Sequence, residues 1–423
     1  MLVAFAVVSA LLLPPPAAAP QQLPRLAEAD SLFRAHDYLG LERWLERPGA
    51  RALRGIAFFE GIVDNRRDRN ASSVTRLAPL LTDALVRADS AHRHVLLQVL
   101  ADDYGKLYQY ADAARMLEMV EREFGSAMPA GERLGLEATV HVRQLLATAP
   151  AQRTTIPSGF DVPLRRNAIG VLEAPARVAS DSSWWIIDTG ANFSTVTEST
   201  ARRLGLELSK DSAATAGVTG ALVRLRIAVV PSLKLGTAEV RNMVVLVLPD
   251  SALYVPQMKY QISAILGYPL LEALQVVTLA PDKLTVSTSA STGAETDLFL
   301  EQLNPLIAAT VDGRTGLYHL DTGANRSTLT VHFRDMYPAL FTGLTADTST
   351  MRGASGASSF RAYTLADLRM SLGAHEVTLH KITVLADPAR TPFGRFLGNL
   401  GQDVIDGATL TLDFRRMKVV LDR

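Results

Sequence analysis

Asp188-Thr189-Gly190-Ala191-Asn192-Phe193-Ser194-Thr195 recurs as Asp321-Thr322-Gly323-Ala324-Asn325-Arg326-Ser327-Thr328, with seven of eight positions identical. A lone Asp-Thr-Gly carries little information, but two copies sharing seven residues are not chance. Each follows an apolar run that reads as a strand, Trp184-Trp185-Ile186-Ile187 before the first and Leu317-Tyr318-His319-Leu320 before the second. A carboxylate on a glycine-containing turn at a strand end is a site-like placement, because reactive groups favour loops held by rigid elements.

The repeat extends past the octapeptide, and a self-match of this kind governs the fold. Gly217-Val218-Thr219-Gly220 begins 29 residues after Asp188, and Gly353-Ala354-Ser355-Gly356 begins 32 after Asp321. Gly267, in Ile265-Leu266-Gly267, lies 79 residues after Asp188; Gly401, in Asn399-Leu400-Gly401, lies 80 after Asp321. Each such glycine precedes a short apolar segment and a closing β-like run. Two similar halves, each giving one Asp, imply a pseudo-twofold arrangement with both carboxylates at its axis.

On these motifs the chain resembles the aspartic proteases of the retropepsin/pepsin clan, with both lobes in one chain, over residues 160–423. The order Asp-Thr-Gly-Ala, glycine-rich flap, hydrophobic-hydrophobic-Gly appears twice. Ala after Asp-Thr-Gly, and two glycine-tipped flaps, are nearer the retroviral enzymes than the pepsins. Polar Asn399 departs from the pattern in the second hydrophobic-hydrophobic-Gly element.

The resemblance implies Asp188 and Asp321 as the catalytic pair. Two carboxylates about 3 Å apart cannot both ionise near neutral pH, so they share a proton. The ionised one takes a proton from a water that attacks the peptide carbonyl, and the protonated one donates to the developing oxyanion. No metal, cofactor, Cys or Ser nucleophile is required. The pair titrates as a unit, so neither residue is assigned as base. The resemblance further implies that Thr189 and Thr322 bond across to the opposite loop. Gly190 and Gly323 let backbone pass close to the carboxylates, Gly267 and Gly401 pack behind the loops, and the glycines at 217, 220, 353 and 356 tip flaps over the substrate. His319 reads as a strand residue facing its sheet rather than a base. Asn192 and Asn325 fall in glycosylation sequons, but a glycan there would block the cleft.

The rest of the chain is read by composition and period. The net charge is zero, so nothing points to nucleic acid or an acidic membrane surface. The absence of Cys excludes disulfides, thiolate metal sites and a Cys nucleophile. Arg outnumbers Lys 36 to 7, as in proteins of GC-rich, bacterial genomes. Residues 1–19 hold an apolar core of about twelve residues followed by Pro and Ala, short for a membrane span and suited to a secretory signal peptide. No Lys or Arg precedes Arg25. If the segment is not cleaved, it is a membrane anchor.

Residues 20–148 carry helical spacing at Leu80, Leu81, Ala84 and Leu85, at Leu96, Leu97, Leu100, Tyr104 and Leu107, and at Ala111, Ala114, Leu117 and Val120. Tyr104 to Ala114 resembles the turn of a tetratricopeptide-type helix pair. Phe58, Phe59, Tyr104 and Tyr108 read as core, and Asn70-Ala71-Ser72 as a helix start rather than a sequon. Residues 149–160, rich in Pro and small polar residues, read as a linker. Beyond it the period becomes two, as in Val223, Leu225, Ile227 and Val229. Short helices are expected at 197–204 and 331–337.

The expected architecture is multidomain α + β: a signal peptide (1–19), an α-helical, solenoid-like domain (20–148), a linker (149–160), and a bilobal all-β aspartic protease fold with lobes at 161–290 and 291–423. The expected function is exported endopeptidase, periplasmic or secreted, acting as a monomer on protein or peptide. A protein partner at the helical domain is a further expectation. The rival readings are an inactive peptide-binding pseudoprotease and an interaction protein working through its helices.

Overall fold

The structure, a computed structural model, describes residues 26–216, 222–353, 356–387 and 396–422. The expected signal peptide at 1–19 lies outside the described residues, as do Gly217, Val218, Thr219, Gly220, Ala354 and Ser355. The described residues divide into a helical unit, 26–149 with Leu300–Gln302, and a β-rich unit made of those from Pro150 to Phe299 and from Leu303 onward. Among the described residues, no helix is long and apolar enough to cross a membrane.

The helical unit uses one turn three times. Ala27–Arg34 is followed by Tyr38–Leu45, Ile56–Arg66 by Asn70–Leu77, and Ser90–Lys106 by Tyr110–Phe124. His36, Asp68 and Tyr108 each adopt a left-handed backbone between the two helices, with φ of 55°, 57° and 59°. The next residue's N–H reaches back to close the first helix: Asp37 to Leu32 O, Arg69 to Asp64 O and Gln109 to Tyr104 O. This is the six-to-one bond of a Schellman turn. The core behind these pairs holds Leu41, Phe58, Phe59, Ile62, Leu77, Leu96, Leu97, Leu100, Leu117 and Val120.

Two details differ from the sequence pattern. Ala114, Leu117 and Val120 are buried as expected, but Ala111 is exposed and Tyr110 and Ala113 are buried beside them, because the large ring at 110 sets the i, i+3, i+4, i+7 face. The run Leu80, Leu81, Ala84, Leu85 is not one helix. Pro79 starts a 3-10 turn at Ala78–Thr82, and the Asp83 side chain accepts the Val86 N–H to begin the short helix Ala84–Ala88.

The β-rich unit contains one strand arrangement twice. In the first half, Ala264–Leu266 lies between Asp181–Ile187, to which it is parallel, and Ser194–Thr197, to which it is antiparallel; Ser194–Thr197 is in turn parallel to Ala238–Leu248. In the second half, Gly398–Leu400 lies parallel to Arg314–Leu320 and antiparallel to Thr328–Leu329, which is parallel to His375–Leu385. Each half also has a long hairpin, Leu222–Leu235 with Ala238–Leu248 and Gly356–Leu372 with His375–Leu385. Gly236 and Gly373 take the positive φ, 56° and 61°, in their turns.

The halves meet in a shared antiparallel sheet. Val276–Leu279 pairs with Thr409–Asp413, and the Thr278 and Thr411 hydroxyls lie 2.9 Å apart across that junction. Those two threonines are 133 positions apart, as are Asp188 and Asp321, so one offset relates the halves at both ends. Part of the expected linker joins the sheets: Arg153–Thr155 pairs with Ala238–Leu248, and Phe160–Pro163 with Lys283–Ser287. The expected short helices form at Glu198–Arg203, capped by Thr197, and at Val331–Met336.

Candidate active site

Each Asp188 and Asp321 follows the last residue of a central strand, and its N–H is held by the strand beside it: Asp188 N–H by Leu266 O at 3.0 Å, Asp321 N–H by Leu400 O at 2.9 Å. Buried backbone polar groups need partners, so this bond fixes where each loop leaves its sheet. Both residues are fully buried. The Gly190 N–H donates to Asp188 Oδ1 at 2.8 Å, and the Ala324 N–H to Asp321 Oδ1 at 3.0 Å.

The two loops interlock. Thr189 donates its hydroxyl to Leu320 O at 2.7 Å and accepts the Thr322 N–H at 3.0 Å; Thr322 donates to Ile187 O at 2.9 Å and accepts the Thr189 N–H at 3.0 Å. Each glycine lies against the other half's carboxyl. A Cβ on Gly323 would stand 2.3 Å from Asp188 Oδ2, and one on Gly190 2.8 Å from Asp321 Oδ1.

The carboxyls interact directly. Burial first, and then the charge of Asp321, push the Asp188 carboxyl well above its ordinary range, while the Gly190 and Ala191 amides pull it partly back. Such a pair holds one proton over a wide span of pH. This arrangement can present an ionised and a neutral carboxyl to one bound water. Among the described residues, no cluster of three His, Asp or Glu could hold a metal ion.

Behind each loop the glycine of the third motif is required by contact. A Cβ at Gly267 would meet Ala191 O at 2.7 Å and the Phe193 carbonyl carbon at 2.6 Å; one at Gly401 would meet Ala324 O at 2.7 Å. The residue after each glycine donates its N–H to that same carbonyl, Tyr268 to Ala191 O and Gln402 to Ala324 O, both at 2.8 Å. Of the second set of flap residues, Gly353 and Gly356 are paired at the end of the hairpin Asp347–Gly353 with Gly356–Leu372.

Sequence reasoning passed over several residues. Ser194 and Ser327, identical in the two octapeptides, accept the Gly267 and Gly401 N–H groups at 3.1 and 3.0 Å. Their identity in both copies was the available signal. Gln402 donates its side-chain amide to Thr322 O at 2.7 Å. Asn399, a departure from the motif, donates to Asp321 Oδ2 at 2.9 Å, a role no apolar residue at that position could fill.

Residues 174–270 match the model of an aspartyl protease family. The match spans the first octapeptide and Gly267. The second octapeptide lies beyond it, and the internal repeat is what relates Asp321 to Asp188. No curated protein matches the chain.

Proposed function

We propose that this chain is an aspartic endopeptidase in which Asp188 and Asp321 together activate a water for attack on a peptide bond. The observation that carries this reading is the pair of buried, interacting carboxyls Asp188 and Asp321, on loops locked together by Thr189 and Thr322. The ionised carboxyl takes a proton from the water as its oxygen bonds to the carbonyl carbon, and the neutral one donates to the carbonyl oxygen. The proton gained by the first carboxyl then goes to the leaving nitrogen, and the second recovers its proton from the tetrahedral intermediate. The pair returns to its starting state.

In this proposal Gly190, Gly323, Gly267 and Gly401 are supports that permit the close approach. The segments 217–220 and 353–356 are the flaps over the substrate. One chain supplies both halves of the site, the protein is exported by the segment 1–19, and the helical unit, tetratricopeptide-like in its paired turns, receives a protein partner. The test is incubation with a peptide library read by mass spectrometry, with Asp188→Asn as control. Cleavage by the wild type and none by the variant is expected. Peptide binding without cleavage would replace this reading with that of an inactive peptide-binding protein.

A further inference from the structure

The two halves differ at one buried place beside the aspartates. In the first, Ile186 and Ile265 are register partners on the parallel strands behind the loop; in the second, the same two places hold His319 and Asn399. Both polar residues are buried. Polar groups in such a position cost stability unless they are bonded, and these are bonded in series. His319 Nδ1 lies 2.5 Å from Asn399 Oδ1, and Asn399 Nδ2 lies 2.9 Å from Asp321 Oδ2.

The chemistry fixes the direction of the chain. The Asn399 amide N–H faces Asp321 Oδ2, the direction that suits an ionised carboxyl, which only accepts. The amide oxygen then faces the imidazole, whose Nδ1 must carry the hydrogen. Burial holds His319 below its ordinary range, although Asp321 pulls the other way, so the ring works as a neutral donor. Neutral His319 therefore holds the Asn399 amide with its N–H groups towards Asp321.

Asp188 has no counterpart to this donor, because Ile265 stands where it would be. Both oxygens of Asp321 accept hydrogen bonds, from Ala324 and Asn399. Asp188 Oδ2 is buried with no partner of that kind and faces the second half's loop. A bare carboxyl oxygen beside a fully bonded carboxylate is where the shared proton is best placed.

We infer that Asn399, oriented by His319, is a positioning residue that keeps the charge of the pair on Asp321 and its proton on Asp188. Resting on the peptidase reading, this makes Asp321 the acceptor of the water's proton and Asp188 the donor to the carbonyl oxygen. Asp403, on the adjoining segment, is bound by the Ser327 N–H and hydroxyl and lies 4.0 Å from Arg326.

The test is a carbon-13 titration of aspartate side chains in Asp188→Asn and Asp321→Asn, which leave one carboxyl of the pair each. The carboxyl remaining in Asp188→Asn should ionise at lower pH than the one remaining in Asp321→Asn, by about one pH unit for a donor to the charged form. Adding Asn399→Leu to Asp188→Asn should raise its titration by about the same amount, and adding it to Asp321→Asn should not. Equal or reversed order in the two single variants overturns the inference, and so does an unmoved titration in the first double variant. If the Leu variants do not fold, the order in the single variants decides alone. Peptide cleavage is assayed separately on the wild type. Its absence would end the peptidase reading while leaving the titration order to stand or fall by itself.

Discussion

Thr189 and Thr322 exchange four hydrogen bonds with each other's loops, two through each hydroxyl, at 2.7 to 3.0 Å. Neither residue is accessible enough for water to replace a lost partner, Thr189 being 0% and Thr322 2% exposed. Thr189→Val keeps the shape and leaves Leu320 O and the Thr322 N–H without partners. A buried group left unsatisfied costs about 1–3 kcal/mol, so each single variant should lose about 2–4 kcal/mol in urea unfolding. The double variant should cost much less than the sum, since the loops share the bonds. Additive losses would mean that the two threonines act independently.

Asp188 gives folding a pH dependence of defined sign. Its folded carboxyl titrates above its ordinary range because it is buried beside Asp321, so the native state binds more protons than the unfolded chain. The stability associated with it is complete below the unfolded carboxylate range, near 4, and falls as pH rises through the raised value. Asp188→Asn is neutral at every pH. The variant should therefore melt higher than wild type at pH 7 and lose that advantage by about pH 3–4. A variant less stable than wild type at pH 7 would show that the ionised pair is not a burden on the fold.

The repeat was legible because it is written in identical residues: Asp-Thr-Gly-Ala-Asn twice, and the serines and glycines that bond behind them. It gave the pairing of halves and the placement of both carboxyls. What could not be read is the asymmetry. Asn399 registers only as a flaw in a motif until the parallel strand puts His319 next to it and Asp321 in front of it, and nothing local in the sequence encodes that register. The side-chain donor to Asp321 comes from 78 residues away in the sequence. In the helical unit, one turn stood out around Tyr108. The turn at His36 has Tyr38 in the place of Tyr110, and that at Asp68 has Ala71 in the place of Ala111, but neither repeats the whole run, so the series shows in the shared left-handed backbone.

Both aspartate loops of the site belong to one chain and are held by bonds within it. Mixing Asp188→Asn chains with Asp321→Asn chains should therefore restore no peptidase activity, at any mixing ratio or concentration. If the halves were instead paired between two chains, one of the two sites in a mixed dimer would regain both aspartates. The readout is initial rate against total protein, and a rate that grows with the fraction of mixed pairs would overturn the single-chain site.

Gly323 and Gly190 should tolerate no side chain, for a reason distinct from backbone freedom. Neither has a positive φ; the obstacle is the carboxyl of the opposite half. A Cβ at 323 would stand 2.3 Å from Asp188 Oδ2, and one at 190 would stand 2.8 Å from Asp321 Cγ. The carboxyls cannot move aside freely, since Asp188 Oδ1 is held by the Gly190 N–H and Asp321 by Ala324 and Asn399. Gly323→Ala must push the loops apart, at about 1–3 kcal/mol for overpacking. The displacement should lower kcat/KM by roughly 10²-fold, as a misplacement of about 1 Å does at a reacting centre. Gly135, in the helix Ala130–Leu146, is the contrast. A Cβ there meets nothing within 4 Å, so Gly135→Ala should raise stability by about 0.5–1 kcal/mol and leave kcat/KM unchanged. Wild-type turnover by Gly323→Ala would show that the two loops do not need to meet so closely for the reaction to proceed.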